Sequence, residues 1–332
     1  FDFYFIRAMS SYFGFFILII LFNFYFTKYK VPINLIIITN YIYLIFSISQ
    51  IVYGYESLNY LMKLNSVGSI FRGQSSLTPE PTYFGLILLI YTWIYLIVTD
   101  YRPKFFILFT IILNLLFICF VAKSTLTILL LLVATGVFLL SILSFNRLIK
   151  FLFFFIMIFL FFFLVTKIFS NYLAWSRYLS LLTKLSNFQQ EEGFILGIVK
   201  IIEFDASIND RVLNIVFPYM GFIMNFGLPG GFYTYSEISI RLSELTSGYF
   251  WSGFGSNKIL SFLGTFIYEL GFIGILILSF LYFQLSKVKI SRRKYEILFL
   301  FLLLSNALPV ANPFVALLIV LLIVNPNIYS KI

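Results

Sequence analysis

The residues of this chain that can take part in chemistry are few, and they are concentrated in two polar segments and one turn. The first segment, residues 71–85, contains Arg72 and Glu80. A guanidinium can bind a phosphate through paired N–H groups, and a carboxylate can accept a proton. A structural interpretation stands beside this one. The two prolines around Glu80 favour a helix start with Thr78 as its cap, where Glu80 would complement the helix dipole and pair with Arg72.

The turn at residues 121–125 places Lys123 between two long apolar runs. Its ammonium could reach a phosphate. A lone lysine between two apolar runs more often extends its charged end to a membrane interface, so both roles stay open.

The second polar segment, residues 171–258, is too long for a simple connection, and long loops are often functional. Its amphipathic stretch at 195–204 suits a helix lying in a membrane interface. Residues 207–210 have the pattern of a capping box, which makes Asp210 a cap rather than a base. In the helix that follows, Arg211 and Asn214 share one face. The opposite side is apolar, so we expect Arg211 to be presented rather than buried.

The same segment continues with a glycine-rich turn at 227–231 and a second short helix. There Arg241 has helical spacing to Glu237 and Glu244, which favours simple ion pairing. The segment closes with a glycine- and aromatic-rich stretch that ends at Lys258. Such a stretch suits stacking on sugars, and it suits an aromatic belt at a membrane interface equally well.

Several kinds of chemistry are excluded or unsupported. The chain has no histidine, which removes histidine metal sites, serine–histidine or cysteine–histidine triads and a histidine base. The single cysteine, Cys119, lies in an apolar run and permits no disulfide framework. No phosphate-binding loop, dinucleotide fingerprint or Asp-x-Asp pair is present. We therefore expect no metal and no cofactor.

The composition predicts an all-α, polytopic integral membrane protein. Of the 332 residues, 61% are hydrophobic, 21% aromatic and only 11% charged. Soluble domains are about 45–50% apolar and about 25% charged. The apolar runs are long and unbroken, as in membrane helices rather than alternating strands. The net charge of +10 arises from scattered basic residues, which suits anionic lipid or an anionic lipid-linked substrate better than nucleic acid.

Runs of about 20 apolar residues predict about 9–10 transmembrane helices with one large extracytoplasmic helical loop. Lysines and arginines cluster in alternate loops, which assigns those loops to the cytoplasm. The predicted organisation is an N-terminal transmembrane bundle at 1–170, a large extracytoplasmic loop at 171–258 and C-terminal transmembrane helices at 259–332, all in one membrane domain. The predicted spans are 11–27, 33–53, 82–99, 105–122, 126–145, 151–170, a seventh from 260 or 271 to 285, 295–308 and 313–324.

This orientation places the amino end, with Asp2 and Arg7, outside the cytoplasm. Phe1 is not an initiator, and the first six residues are mostly apolar. We expect a cytoplasmic start and at least part of another span upstream.

Four groups of residues, in this order, have the character of one membrane enzyme family. They are Thr78-Pro79-Glu80-Pro81-Thr82-Tyr83-Phe84-Gly85, Lys123-Ser124-Thr125, Asp205-Ala206-Ser207 with Arg211, and Gly255-Ser256-Asn257-Lys258 leading to Tyr268-Glu269-Leu270-Gly271-Phe272-Ile273-Gly274. With these motifs the whole chain resembles a bacterial polysaccharide polymerase of the O-antigen polymerase and ligase superfamily. The ligase branch typically carries a histidine where this chain has Ser256, so the resemblance favours a polymerase.

The resemblance implies a glycosyltransferase of polysaccharide and lipopolysaccharide biosynthesis in the bacterial inner membrane. It would transfer a glycan from undecaprenyl diphosphate to the terminal sugar of a lipid-linked repeat unit on the outer face. Arg72 and Arg211 would bind the diphosphate, and Glu80 is the candidate general base. A chain-length regulator is a candidate partner. The candidate substrate-binding residues are Lys123, Arg241, Arg177, Tyr83, Asn214 and Lys258.

Three other functions stay open at this stage. An O-antigen ligase shares the family. A flippase or transporter of lipid-linked oligosaccharides would show duplicated halves and polar residues around a cavity at mid-membrane, and the sequence shows neither pattern. A non-catalytic scaffold would use its basic residues only to face lipid.

Overall fold

The computed structural model describes residues 3–54, 73–142, 183–184, 187, 194–251, 255–287, 292–306 and 308–324. In these ranges the regular elements are helices, with no strand, which confirms the all-α prediction. The predicted sixth span, residues 151–170, and residues 171–182 of the predicted large loop lie outside the described residues. The elements are α1 (Phe3–Lys28), α2 (Ile33–Tyr53), α3 (Pro81–Val98), α4 (Phe105–Leu116) continued by a π-helical segment (Phe117–Ala122), α5 (Thr125–Ile142), α6 (Phe194–Phe204), α7 (Ala206–Met224), α8 (Tyr235–Leu245), α9 (Phe262–Leu270), α10 (Phe272–Ser286), α11 (Arg293–Leu304) and α12 (Pro313–Ile323).

Four segments are long and apolar enough to cross a membrane: Phe5–Lys28, Ile33–Tyr53, Pro81–Val98 and Phe105–Ala122. Even an 18-residue helix is about 27 Å long, close to the roughly 30 Å of a bilayer's hydrocarbon core. These helices indicate a lipid bilayer environment. They agree with the first four predicted spans, whereas the total of nine to ten spans and the extracytoplasmic location of the large loop stay predictions.

The chain divides into two compact units. We call residues 17–176 with 313–332 the bundle unit, and residues 1–16 with 177–312 the loop unit. The predicted three-part division at residues 170 and 258 stays a prediction.

The bundle unit is organised around α3. This helix packs against α2, α4, the π-helical segment, α5 and α12. Of its spanning window 83% is buried, against 17–28% for the windows of α1, α2 and α4. Residues 315–322 of α12 are all buried as well. By contrast, α4 exposes large side chains such as Phe105, which is 85% exposed. Such an apolar surface suits lipid contact, so α3 and α12 form the interior and α4 lies at its edge.

Uncharged polar side chains join three helices of the bundle unit. Asn40 of α2 donates through Nδ2 to Oδ1 of Asn114 of α4 at 3.0 Å. Asn114 in turn donates to Oγ1 of Thr92 of α3 at 3.3 Å. All three residues are buried. Hydrogen bonds of this kind hold membrane helices together, and the sequence analysis, which found no pattern of polar residues at mid-membrane, did not predict them.

The loop unit is organised around α7, which packs against α6, α8 and α9. Its core joins Leu213 and Phe217 of α7 to Leu242 of α8 and to Phe250 and Ile259 of the following segment. The helix bears Asn209 and Asn214 on its buried side as well. The buried side of α7 is therefore partly polar, and the site described below depends on that property.

The predicted seventh span consists of two helices, α9 and α10, with a break at Gly271. Gly271 has a φ of +60°, which disfavours any residue with a side chain. A Cβ there would lie 2.5 Å from the carbonyl oxygen of Gly227. The turn at 227–231 also bonds to both sides of the break. The Phe272 amide donates to the Gly227 carbonyl at 3.0 Å, and the Gly230 amide donates to the Tyr268 carbonyl at 2.8 Å.

This geometry predicts that Gly271→Ala destabilises the protein by about 2–4 kcal/mol, from backbone strain together with overpacking. Gly248→Ala is the matched control, because Gly248 also has a positive φ, of 73°, but has no atom within 4 Å of its Cβ position. We expect the control to cost only about 1 kcal/mol. Unfolding of both variants in mixed detergent micelles measures the difference, and equal losses would contradict the close contact at Gly271.

Candidate functional site

The residue that caps the amino-terminal end of α7 is not the one predicted. Asp205, not a residue of 207–210, caps the helix, and its Oδ1 accepts hydrogen bonds from the amides of Ser207 and Ile208, both at 3.0 Å. A capping carboxylate was available two residues before the predicted box, so the prediction of the cap was wrong. Asp210 lies inside the helix, where its Oδ1 accepts a hydrogen bond from Asn214 Nδ2 at 3.0 Å.

Asn214 links α7 to the segment after Lys258. Its side chain is only 3% exposed. Nδ2 donates to the Asp210 carbonyl at 2.8 Å as well as to the carboxylate, and Oδ1 accepts from the Leu260 amide at 2.9 Å. The two predicted site residues Asn214 and Lys258 therefore belong to segments that are in direct contact.

Arg211 is half-buried rather than openly presented. Its Nε donates to Oγ of Ser207, one turn earlier, at 3.3 Å, and its Nη1 is shielded from solvent. The predicted presentation of Arg211 is therefore only partial, because α7 packs against three neighbouring helices. A guanidinium held in this way loses less freedom when it binds an anion, which favours preorganised binding.

Asn209 performs a similar linking role and was not predicted. It is fully buried. Nδ2 donates to the carbonyls of Ile202 at 3.1 Å and Tyr249 at 3.0 Å, and Oδ1 accepts from the Trp251 amide at 3.1 Å. Trp251, the first residue of the aromatic stretch, is therefore fixed to the junction of α6 and α7.

The motif at 255–258 lies against α8. The Gly255 amide donates to Oγ of Ser239 at 3.0 Å, and Asn257 Oδ1 accepts from the Ser236 amide at 3.2 Å. Lys258 follows with an exposed side chain. This segment thus connects α8 to α7 and leaves one ammonium in solvent.

Two tyrosines lie where α8 meets α9. The rings of Tyr235 and Tyr268 are 5.6 Å apart in an edge-to-face arrangement. The hydroxyl of Tyr235 is buried and has no hydrogen-bond partner among the described residues. Burial, and secondly the negative charge of Asp210, raise the pKa of Tyr235. Tyr235 therefore stays protonated at neutral pH and keeps a hydrogen-bond donor beside α7.

Glu269, the residue after Tyr268, is a buried carboxylate that the sequence argument did not single out. It is 9% exposed, and its Oε2 accepts a hydrogen bond from the hydroxyl of Tyr12 of α1 at 2.7 Å. Only the structure brings these two residues, from opposite ends of the chain, into contact.

In the bundle unit the segment 73–85 and the turn at 121–125 are packed together. The Gln74 amide donates to the Val121 carbonyl at 2.9 Å, and a Cβ at Gly73 would lie 2.3 Å from the Ala122 carbonyl oxygen. Ser124 donates to Oγ1 of Thr82 at 3.2 Å. Two motifs that lie far apart in the sequence thus form one surface.

Gln50 of α2 fixes the same segment from the interior. It is 2% exposed. Its Oε1 accepts from the amides of Ser75 at 3.1 Å and Ser76 at 2.8 Å, and its Nε2 donates to Ser75 Oγ at 3.3 Å. Ser76 adopts a positive φ of 51°, so this fixed turn is also a tight one.

Three predicted site residues lie at this surface. Glu80 is exposed at the N-cap position of α3 but makes no side-chain capping bond. Thr78, the predicted cap, donates instead to the Ser75 and Glu80 carbonyls, so that prediction was wrong.

Tyr83, in the first turn of α3, is half-buried. Lys123 is half-buried, and it ends the π-helical segment with a φ of 50°. Such segments are frequent at functional sites.

The remaining predicted residues are Arg241, Arg72 and Arg177. Arg241 is exposed on α8, and in the part of the chain that the structure describes no ion pair joins it to Glu237 or Glu244. Arg72 and Arg177 lie outside the described residues. No group of three or more cysteine, aspartate or glutamate side chains that could hold a metal occurs in the described ranges.

Comparisons of the chain with protein-family models, with curated proteins and with solved structures find no match. The function is therefore argued from the chain's own residues.

Replacing Asn214 tests the link between α7 and the 255–260 segment. Asn214→Ala leaves the partly buried Leu260 amide without its acceptor, so we expect a loss of about 1–2 kcal/mol in the free energy of unfolding. Asn257→Ala is the control, because Asn257 also accepts from a backbone amide but is exposed. A comparable loss in the two variants, measured by denaturation in mixed micelles, would contradict the proposed anchoring.

Replacing Gln50 tests the corresponding link in the bundle unit. Gln50→Leu keeps most of the side-chain volume but leaves two buried amides unpaired, at a cost of about 1–3 kcal/mol each. Gln284→Leu, which removes only an exposed contact with Lys287, should change stability by less than about 0.5 kcal/mol. The same denaturation measurement applies, and a stable Gln50→Leu protein would show that the segment is held by other contacts.

Proposed function

We propose that the chain is a multi-pass glycosyltransferase of the bacterial cytoplasmic membrane that polymerises a polysaccharide. Its donor would be a glycan on undecaprenyl diphosphate, and its acceptor the terminal sugar of a lipid-linked repeat unit. The proposal rests on the resemblance of the four motifs to the O-antigen polymerase and ligase superfamily, with Ser256 favouring a polymerase.

One observation carries the proposal: segments that carry the motifs and are distant in the sequence are in contact within each unit. In the loop unit, Asn214 bonds to the segment that follows Lys258. In the bundle unit, Ser124 bonds to Thr82. Residues that serve one reaction must be close in space, whereas segments that resembled the family only by chance would not be expected to pack together.

The chemistry of glycosyl transfer suits the residues at these places. A sugar hydroxyl attacks the anomeric carbon, and the bond from that carbon to the diphosphate oxygen breaks. The leaving diphosphate takes the electron pair, and the hydroxyl proton passes to a base or to water. Because negative charge develops on the diphosphate, preorganised cationic donors lower the barrier most. Arg211, held by Ser207, has that character.

The other candidates take supporting roles in this proposal. Lys123 and Arg72 would add positive charge for the diphosphate, and Glu80, exposed at the start of α3, would accept the hydroxyl proton. A diphosphate is a good leaving group, so no acid is required. The apolar helices would keep the enzyme in the same bilayer as the polyprenyl chain of its substrate.

The decisive test replaces Arg211. In proteoliposomes supplied with purified lipid-linked repeat units, Arg211→Ala should lower the polymerisation rate by about 100- to 1,000-fold, the usual cost of losing one such donor. Arg7→Ala, the loss of an exposed guanidinium in the same unit that is not a candidate site residue, should change the rate much less. Arg211→Lys should restore only part of the rate, because an ammonium cannot bind a phosphate in a bidentate manner.

Gel analysis of polymer length, with membrane insertion confirmed for each variant, separates the outcomes. Normal chain lengths in Arg211→Ala would refute the role of Arg211. Movement of repeat units across the membrane without any polymer would replace the proposal with transport.

A further inference from the structure

A cavity that the proposed reaction does not use lies on the side of α10 and α11 in the loop unit. Its volume is about 730 Å³, within the range of roughly 300–1,000 Å³ that is typical of small-molecule pockets. Its walls are mostly apolar, with Ile275 and Leu278 of α10 opposite Leu298 and Phe301 of α11.

Lys294 and Tyr295 lie at one end of this cavity. The two helices pack together and are joined by a short connection, so they run antiparallel. The end of α10 and the start of α11 therefore meet at that end. The ring of Tyr282 contacts that of Phe301 edge-to-face at 6.1 Å, and Phe301 lies about 10 Å along α11 from Lys294. Ile275 lies a further two turns away, toward the start of α10. The cavity is thus polar and basic at one end and apolar at the other.

The charges at the polar end favour an anion. Lys287 and Lys294 are exposed there. Arg292 and Arg293 share a single carboxylate, that of Glu296, at 3.3 and 2.8 Å. The described residues of this connection thus include four basic side chains and one acidic side chain, so its net charge is positive.

We propose that this cavity binds one anionic phospholipid of the surrounding bilayer, with an acyl chain between α10 and α11 and the phosphate at Lys294. An apolar chain with a phosphate at one end matches the order of the lining residues. The proposal is independent of the polymerase assignment. A phospholipid is favoured over the polyprenyl donor because the basic connection is predicted to be cytoplasmic, whereas the transfer motifs are predicted to face outward.

The test compares lipids retained by the full-length chain. The protein is reconstituted in vesicles of equal phosphatidylglycerol and phosphatidylcholine, extracted gently and analysed by native mass spectrometry. We expect one phosphatidylglycerol to be retained in preference to phosphatidylcholine. Lys294→Gln should weaken that preference about fivefold, the effect of losing one basic contact near a membrane surface. Lys104→Gln is the control, because Lys104 is also exposed, lies before α4 and does not line the cavity.

Two substitutions fill the cavity from opposite walls. Ser279→Trp on α10 and Leu298→Trp on α11 should each abolish retention, and either one suffices if the other does not fold. Leu276→Trp adds the same bulk to α10 at a position that is 69% exposed and does not line the cavity, so it should retain the lipid.

Equal retention of the two phospholipids by the unsubstituted chain would overturn the proposal. So would unchanged retention in a folded cavity-filling variant. Displacement of phosphatidylglycerol by an equimolar polyprenyl phosphate would assign the cavity to the donor lipid instead, and this result would leave the polymerase proposal standing.

Discussion

A buried backbone amide needs a hydrogen-bond acceptor, and the polar segments of this protein satisfy that requirement with amide side chains on neighbouring helices. Gln50 accepts from Ser75 and Ser76, and Asn214 accepts from Leu260. Asn209 does the same for Trp251. Leaving such an amide unpaired costs about 1–3 kcal/mol. Without Gln50, the segment at Ser75 and Ser76 would have to leave the protein interior to hydrate its backbone, whereas the Leu260 and Trp251 amides are only partly buried.

The candidate site residues depend on this arrangement for their positions. Arg211 is held by α7, and the segment that contains Lys258 is fixed to the same helix through Asn214. Glu80 and Lys123 belong to two segments that are joined by the bond from Ser124 to Thr82. Arg211 is therefore supplied by a helix, whereas Glu80, Lys123 and Lys258 are supplied by irregular segments that are fixed to helices.

Hydropathy was sufficient to predict the helices that interact mainly with lipid, because their length and composition follow directly from bilayer thickness. The boundaries of α2 agree with the prediction, and α4 with its π-helical segment covers the predicted fourth span. The order of the four motifs also indicated which segments carry the candidate site residues. Hydropathy does not predict which polar side chains form hydrogen bonds with one another. The bond from Tyr12 to Glu269 and the partial burial of Arg211 depend on tertiary contacts between distant residues. The cap at Asp205 is local, and it was missed because a second capping pattern follows it two residues later.

The break at Gly271 has a consequence for the order in which the protein is assembled. The chain's apolar stretch cannot continue as one helix through Gly271, and the groups beside the break are paired with the turn at 227–231. In a bilayer, irregular backbone is tolerated only where protein covers it. Because the ribosome makes residues 227–231 before residue 271, that turn is available when α9 and α10 emerge. Synthesis of this helix pair thus follows synthesis of the turn with which its break is paired.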